Sequence, residues 1–557
     1  MRVNAILAVA AIVAAATPVP AIAADRDESG RAAANYVRAR AADAAGMLDV
    51  AAAGYAAALA ASPGDELLAL RTYRQAMLAG DEPLARRAAT VLEQKNALPA
   101  DARLFLLAQA VKAKDWTTAS RAADEIEKDD VFGFLVPIIR GWIALGSGAG
   151  NPLEKLALVG KGGSLTIAYA GEQRALLLLA TGRKADGIAA IQALSTTPGG
   201  RGTRLRLAAA AKLAQDGDRT EALALLAGRE GPLAVARARI EGGGKIPGAV
   251  DDAASGIAEL LVRVAIDVSR ERVTPLAVNL ARLSTFLAPD NSETWIAAAE
   301  LLAGSDHADA ALVALGKVAA DDPAAETVRL ARLQLLVHKG EQQEALAEAQ
   351  RSAARPDASL ADLTRVGDLL GDLERPREAV EAYTRALAAI DKDPARAQSR
   401  WTVLMLRGSA LDAAGDWTGA RADLRQAAKL APDQAVVLNY LGYAQLERRE
   451  NLAEAEKLIE RASILKPDDA AITDSLGWTY FVRGDLGKAI PMLERAVVGE
   501  PAEPTINEHL GDAYWTAGRR YEARYAWRAA LIHADDKIAP RIRSKIESGL
   551  STASAAP

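Results

Sequence analysis

AITDSLGWTYFVRGDLGKAIPMLERAVVGEP, residues 471 to 501, holds one complete structural unit. Apolar residues recur at three- and four-residue steps in two stretches, 471–483 and 486–498, so each predicts a helix. Gly484-Asp485 supplies the turn between them, and Pro501 stops the second. Gly477 and Ala489 are expected where the two helices cross. Only a side chain of one carbon or none lets two helix axes approach closely there.

The unit recurs. Gly408, Gly442, Gly477 and Gly511 stand 34, 35 and 34 residues apart. Ala420, Ala489 and Ala523 follow their glycines by twelve residues, and Ala455 comes one place late because of an extra residue in the Glu450-Asn451 turn. Ala427, Ala462, Ala496 and Ala530 lie seven further on, and Pro432, Pro467 and Pro501 close three of the units. The pattern Leu476-Gly477, Tyr480, Gly484, Ala489, Leu493, Ala496, Pro501 resembles the tetratricopeptide repeat. Leu510-Gly511, Tyr514, Gly518, Ala523, Trp527 and Ala530 repeat it. The resemblance implies an all-α, right-handed α-solenoid of about twelve helix pairs. A pair this short cannot bury its apolar faces alone, so neighbours must stack.

Working outward, the pattern is continuous from about Ile257, with Ala277, Ala311, Ala345 and Ala379 at the small position of the second helix. Earlier units run through Ala39, Gly46, Ala51, Tyr55 and Pro63, then Tyr73 to Ala89, then Leu107 to Ala123. Two glycine-rich breaks, 146–164 and 242–247, interrupt it. The expected divisions are a signal segment (1–23), an N-terminal arm (24–145), an irregular middle section (146–254), a C-terminal array (255–535) and a capping helix with a disordered tail (536–557).

Arg2, the apolar run Ala5 to Ala16 and the small-x-small triplet Ala21-Ile22-Ala23 predict a cleavable secretory signal, with the mature chain beginning near Ala24. The run is too short to span a bilayer. The alanine-rich composition and the style of the signal point to a Gram-negative periplasm. The 557 residues carry a net charge of −5, and no basic stripe suggests nucleic acid. Cysteine is absent, which excludes disulfides, thiolate metal sites and an N-terminal lipidated cysteine.

Chemistry is not found. His307, His338, His509 and His533 form no paired metal motif. Gly160 to Ser164 lacks phosphate-loop spacing. The pairs Asp129-Asp130, Asp251-Asp252, Asp321-Asp322 and Asp468-Asp469 fall at helix ends, where acids cap helices or favour the macrodipole. No catalysis, cofactor or metal is expected.

In the repeat family the first helix of each pair lines the concave face. That implies a groove carrying Tyr443, Leu446, Trp478, Phe481, Asp512 and Trp515, with Asn439, Asp474 and Glu508 on the same face. An exposed apolar stripe of this kind marks a protein-binding site. The alternative reading of these positions is packing against the next unit or the cap helix. Tyr480, Tyr514 and Trp527 fall at helix-packing positions. The groove is apolar and acidic, which suits a basic or extended segment and not a terminal carboxylate. The C-terminal arm also resembles bacterial envelope repeat proteins, some of which are adaptors of carboxyl-terminal processing proteases. The expected function is therefore a non-catalytic periplasmic scaffold or adaptor binding envelope proteins, possible partners being a protease or cell-wall enzyme. The alternative is a structural assembly factor for an outer-membrane or secretion complex.

Overall fold

The computed structural model describes residues 22–128, 131–157, 164–195, 200–228, 231–356 and 358–551. The signal run before Ile22, Asp129-Asp130, Gly160 to Gly163 and the tail from 552 lie outside them. Every regular element among the described residues is helical, and consecutive helices pair antiparallel across short turns. This is the all-α solenoid architecture. The chain divides into two compact units, Met1–Lys339 and Gly340–Pro557. The division falls well beyond the boundary expected near residue 255, because the helices that follow 255 pack inside the first unit.

The second unit shows why the small-residue lattice exists. Its pairs include Arg400–Ala413 with Trp417–Leu430, Ala435–Glu447 with Leu452–Leu465, Ala470–Val482 with Leu486–Gly499, and Pro504–Thr516 with Arg520–His533. Ala420, Ala455, Ala489 and Ala523 are fully buried, as are Ala427, Ala462, Ala496 and Ala530. Each glycine faces a large residue of its partner helix: Gly408 faces Leu424, Gly442 Ile459, Gly477 Leu493 and Gly511 Trp527. A Cβ on Gly477 would sit 2.8 Å from Leu493 Cγ and 3.1 Å from the Leu493 backbone nitrogen. The backbone atom cannot swing aside. Gly477→Leu should therefore destabilise this unit by roughly 1–3 kcal/mol, the usual range for overpacking. Denaturant titration should show the loss, and parental stability would refute the close approach. The extra residue before Ala455 is absorbed in a turn where Arg449 and Asn451 both take positive φ, 52° and 48°.

The first unit has a different interior. Helices Ala253–Val268 and Pro275–Leu287 are buried on every side, at each residue from Ser255 to Ala265 and from Ala277 to Leu287. The buried positions include Glu259, Arg263, Asn279 and Arg282, whose polar groups have to find partners inside the fold. They pack on Glu66–Ala79, Ala100–Lys112, Val136–Ser147 and Ser164–Ala180, the first helices of earlier pairs. Gly256 lies against the fully buried Trp142 ring, whose Nε1 donates to Gln173 at 2.7 Å. Phe286 meets Phe105 edge-on at 6.3 Å. Asn279 donates to Asp101 at 2.8 Å, and Arg282 donates to the Leu78 carbonyl at 2.8 Å, capping the end of Glu66–Ala79. The inner face of the N-terminal array is thus occupied by the protein's own chain.

A charged seam joins the two layers. Arg204 donates to Glu259 at 2.7 Å, and Arg263 lies 3.6 Å from Glu172. Glu293 stands beside this seam and near Asp322, and burial pushes its carboxyl up to about 7, with Glu259 and Asp322 adding to the shift and Arg204 opposing it. An acid with a raised folded pKa stabilises the fold fully below its unfolded pKa, and that stability is lost as pH rises through the folded value. The first unit should thus weaken between about pH 5 and pH 7. Glu293→Gln should flatten this slope and add about 2 kcal/mol at pH 8, less than the full shift implies because the side chain is partly exposed. Denaturant midpoints across pH test it, and an unchanged slope would refute it.

Candidate functional site

The residues expected to line the groove do come together, but in the seam between successive pairs and not on an open surface. Leu446, Asp474, Trp478, Glu508 and Asp512 are buried; Tyr443, Phe481 and Trp515 are half-buried. Trp478 stacks on Phe481 at 4.5 Å and on His509 at 4.0 Å. Asp474 Oδ2 lies 2.8 Å from His509 Nδ1, and the Tyr443 ring approaches His509 at 6.3 Å. Burial, with Glu447 and Asp474 nearby, pushes the Tyr443 phenol well up. The physical reason is the stacking itself. A first helix buries one face against its own partner and another against the first helix of the next pair. Positions one and four after the glycine, and three before it, fall on that second face.

Glu508 and Asp512 repeat the arrangement at the end of the array, where the terminal helix Ala539–Ser548 takes the place of the next first helix. Arg541 donates to both Glu508 oxygens at 2.8 and 2.7 Å. The fully buried Lys545 donates to Glu508 at 2.6 Å and to Asp512 at 2.8 and 2.7 Å. Trp527 Nε1 donates to Asp512 at 2.9 Å. Desolvation opposes ionisation of Glu508, but Arg541 and Lys545 outweigh it and hold the carboxyl below its ordinary range. Trp515 lies under Arg520 at 3.9 Å and covers Gly549. The acids do face a basic segment, and it is the chain's own. Sequence reading missed Arg541 and Lys545, although their spacing of four on one helix face matches that of Glu508 and Asp512.

This unit also carries a cavity of about 560 Å³. Gly367, Gly371, Ala379, Ala410 and Ala413 form a floor without long side chains, and Tyr383 and Leu406 form apolar walls. The Tyr383 hydroxyl is fixed by Asp368 at 2.7 Å. Lys537, between the last two helices, meets Glu374 across the mouth at 2.6 Å, with both side chains largely exposed. A surface pair of this kind contributes about 0–1 kcal/mol and opens readily. A cavity of this size accommodates several large side chains or a short segment. Among the described residues there is no cluster of potential metal ligands, and no helix is long and apolar enough to cross a membrane.

No protein-family profile matches the chain. Over 135 residues it is 30% identical to a TPR repeat-containing protein of Pseudomonas aeruginosa, a match that covers 24% of this chain and 22% of that protein. The chain thus spans about a fifth of the relative's length. Among solved structures, a tetratricopeptide repeat protein from Parabacteroides merdae aligns over 46% of this chain and 97% of its own, at 15% identity and a TM-score of 0.37. A thermophilic TPR protein from Thermus thermophilus aligns over 34% and 98%, at 21% identity and a TM-score of 0.30. The similar protein class is the tetratricopeptide repeat, a helical scaffold for protein–protein contacts.

Proposed function

We propose that this chain is a non-catalytic tetratricopeptide-repeat scaffold that holds protein segments in the cavity of its second unit. The observation that carries this reading is the open, small-residue-floored cavity of about 560 Å³. By contrast, the inner face of the first unit's array is filled by residues 253–287. A floor of glycine and alanine leaves holes for the bulky apolar side chains of a partner, the kind of anchor that dominates binding energy. The similarity to a TPR repeat-containing protein supports a role in protein contacts.

The sequence of the first 23 residues supports export to the periplasm, where the partner is an envelope protein. One such role is adaptor for a carboxyl-terminal processing protease acting on cell-wall hydrolases. Assembly of an outer-membrane or secretion complex is the alternative. Gly371→Trp provides the test, because Gly371 is exposed and nothing lies within 4 Å of the Cβ it would gain. An indole at this lining position should obstruct the cavity without crowding the fold. Affinity purification from periplasmic extract should recover partners with the parent chain and about tenfold less with Gly371→Trp, at equal melting temperature. A soluble protease with its substrate hydrolase would identify an adaptor, and an integral outer-membrane protein an assembly factor. Equal recovery by the variant would remove the cavity as the site. N-terminal sequencing of the same material should begin near Ala24, and an intact Met1 would refute cleavage.

A further inference from the structure

The first unit carries an opening of its own. A cleft of about 530 Å³ lies between the turn that precedes helix Leu48–Ala61 and the turn that precedes helix Ala308–Leu315. Met47, Val50 and Val313 stand on it, each roughly half exposed or more although large and apolar. Other large apolar side chains of this unit are exposed too, but these three line one cleft and so form a patch of the kind that marks an interaction site. Both turns are held in fixed shape by left-handed residues, Gly46 at φ 71° and Asp306 at φ 61°.

The charges around the cleft are mostly negative. Asp49, Asp306 and Asp309 are exposed on its rim. Lys339 pairs with Asp309. Asp49 and Asp309 sit in first turns, where they favour their helix dipoles. Their charge still projects into the cleft. Of the other basic groups that line the cleft, His307 meets the Ser305 hydroxyl at 3.1 Å, and Arg282 is buried and turned to the Leu78 carbonyl, so it offers little to a ligand's carboxylate.

From this geometry we infer that the cleft is a second peptide-binding site, taking a segment that places one large apolar side chain among Met47, Val50 and Val313 and a lysine or arginine within two or three residues of it. The apolar anchor supplies affinity, and the acidic rim selects basic over acidic segments. The inference rests on the scaffold reading only in taking a protein segment as the ligand. It adds a site that is separate from the second unit's cavity, so that one chain can engage two segments.

The test uses the full chain and two labelled synthetic peptides, Gly-Lys-Leu-Phe-Lys-Gly and Gly-Glu-Leu-Phe-Glu-Gly, read by fluorescence anisotropy. The basic peptide should bind about tenfold or more tightly than the acidic one, with the gap narrowing at high salt. Asp49→Asn with Asp306→Asn should close most of that gap, since asparagine tolerates the left-handed turn and removes only charge. Val313→Glu, at an exposed position, should weaken binding of both peptides. Gly371→Trp should leave basic-peptide binding unchanged. Binding of neither peptide by the parent chain overturns the inference, as does equal preference before and after the asparagine changes. Either result leaves the second unit's co-purification test standing. Loss of the basic peptide in Gly371→Trp alone would return the binding to the second unit's cavity and also overturn the inference.

Discussion

Lys545→Ala should cost the second unit about 3–5 kcal/mol, the range for breaking a buried ion pair by removing one partner. The ammonium is fully buried between Glu508 and Asp512, at 2.6 to 2.8 Å from three of their oxygens. Without it, Glu508 keeps Arg541, while buried Asp512 loses the ammonium that meets both of its oxygens. The poorer compensation of a buried charge, more than the lost attraction, sets the cost. The triple change Lys545→Met, Glu508→Gln and Asp512→Asn should recover most of the stability, because it removes the three buried charges together and leaves only Arg541, whose side chain reaches solvent. The destabilisation should hardly depend on salt, since buried pairs are poorly screened. Denaturant unfolding followed by helicity measures it. A loss under about 1 kcal/mol would mean that the 539–548 helix does not close the array as described.

That helix also shows what local pattern could and could not reveal. The helix pairs were legible because their signals lie within one unit: apolar period, turn glycine, closing proline, and the glycine facing a large residue sixteen or seventeen places on. The capping role of 537–550 was legible from its polarity. The burial of Glu508 and Asp512 was not, because the groups that cover them lie 33 to 37 residues away. The interior of the first unit was still less accessible. Asn279 reaches a partner 178 residues back and Arg282 one 204 residues back. No local sign gave it away: Ser255, Glu259 and Arg263 form a polar stripe at four-residue steps that reads as a solvent face, and the structure buries it. A one-residue-in-four periodicity finds a helix, but it does not tell a face that lines a groove from a face that meets the next helix. That ambiguity set Trp478 on an open stripe in the sequence reading and in a closed seam in the structure.

Trp478 therefore separates the two readings by experiment. Its ring is enclosed between Phe481 and His509, and His509 in turn orients Asp474. Truncation to alanine removes a large buried aromatic from the contact between the 470–482 and 504–516 helices. Trp478→Ala should thus lower the stability of the second unit by about 3–5 kcal/mol, as for other core aromatics. It should also loosen the buried Asp474–His509 pair, which adds to the loss and makes it hard for neighbouring side chains to collapse into the gap. Trp515→Ala should cost less, because that ring is half exposed and lies at the rim beneath Arg520. The first unit should unfold as in the parent, since repeats couple mainly to their neighbours. Separate unfolding transitions, assigned by limited proteolysis, would show this. If Trp478→Ala instead melted like the parent while partner capture fell, the ring would be a binding anchor on an accessible groove. Loss of stability with no capture defect in the fraction that remains folded would fix it as a core residue, and would leave the small-residue cavity, not the aromatic seam, as the place where a partner is held.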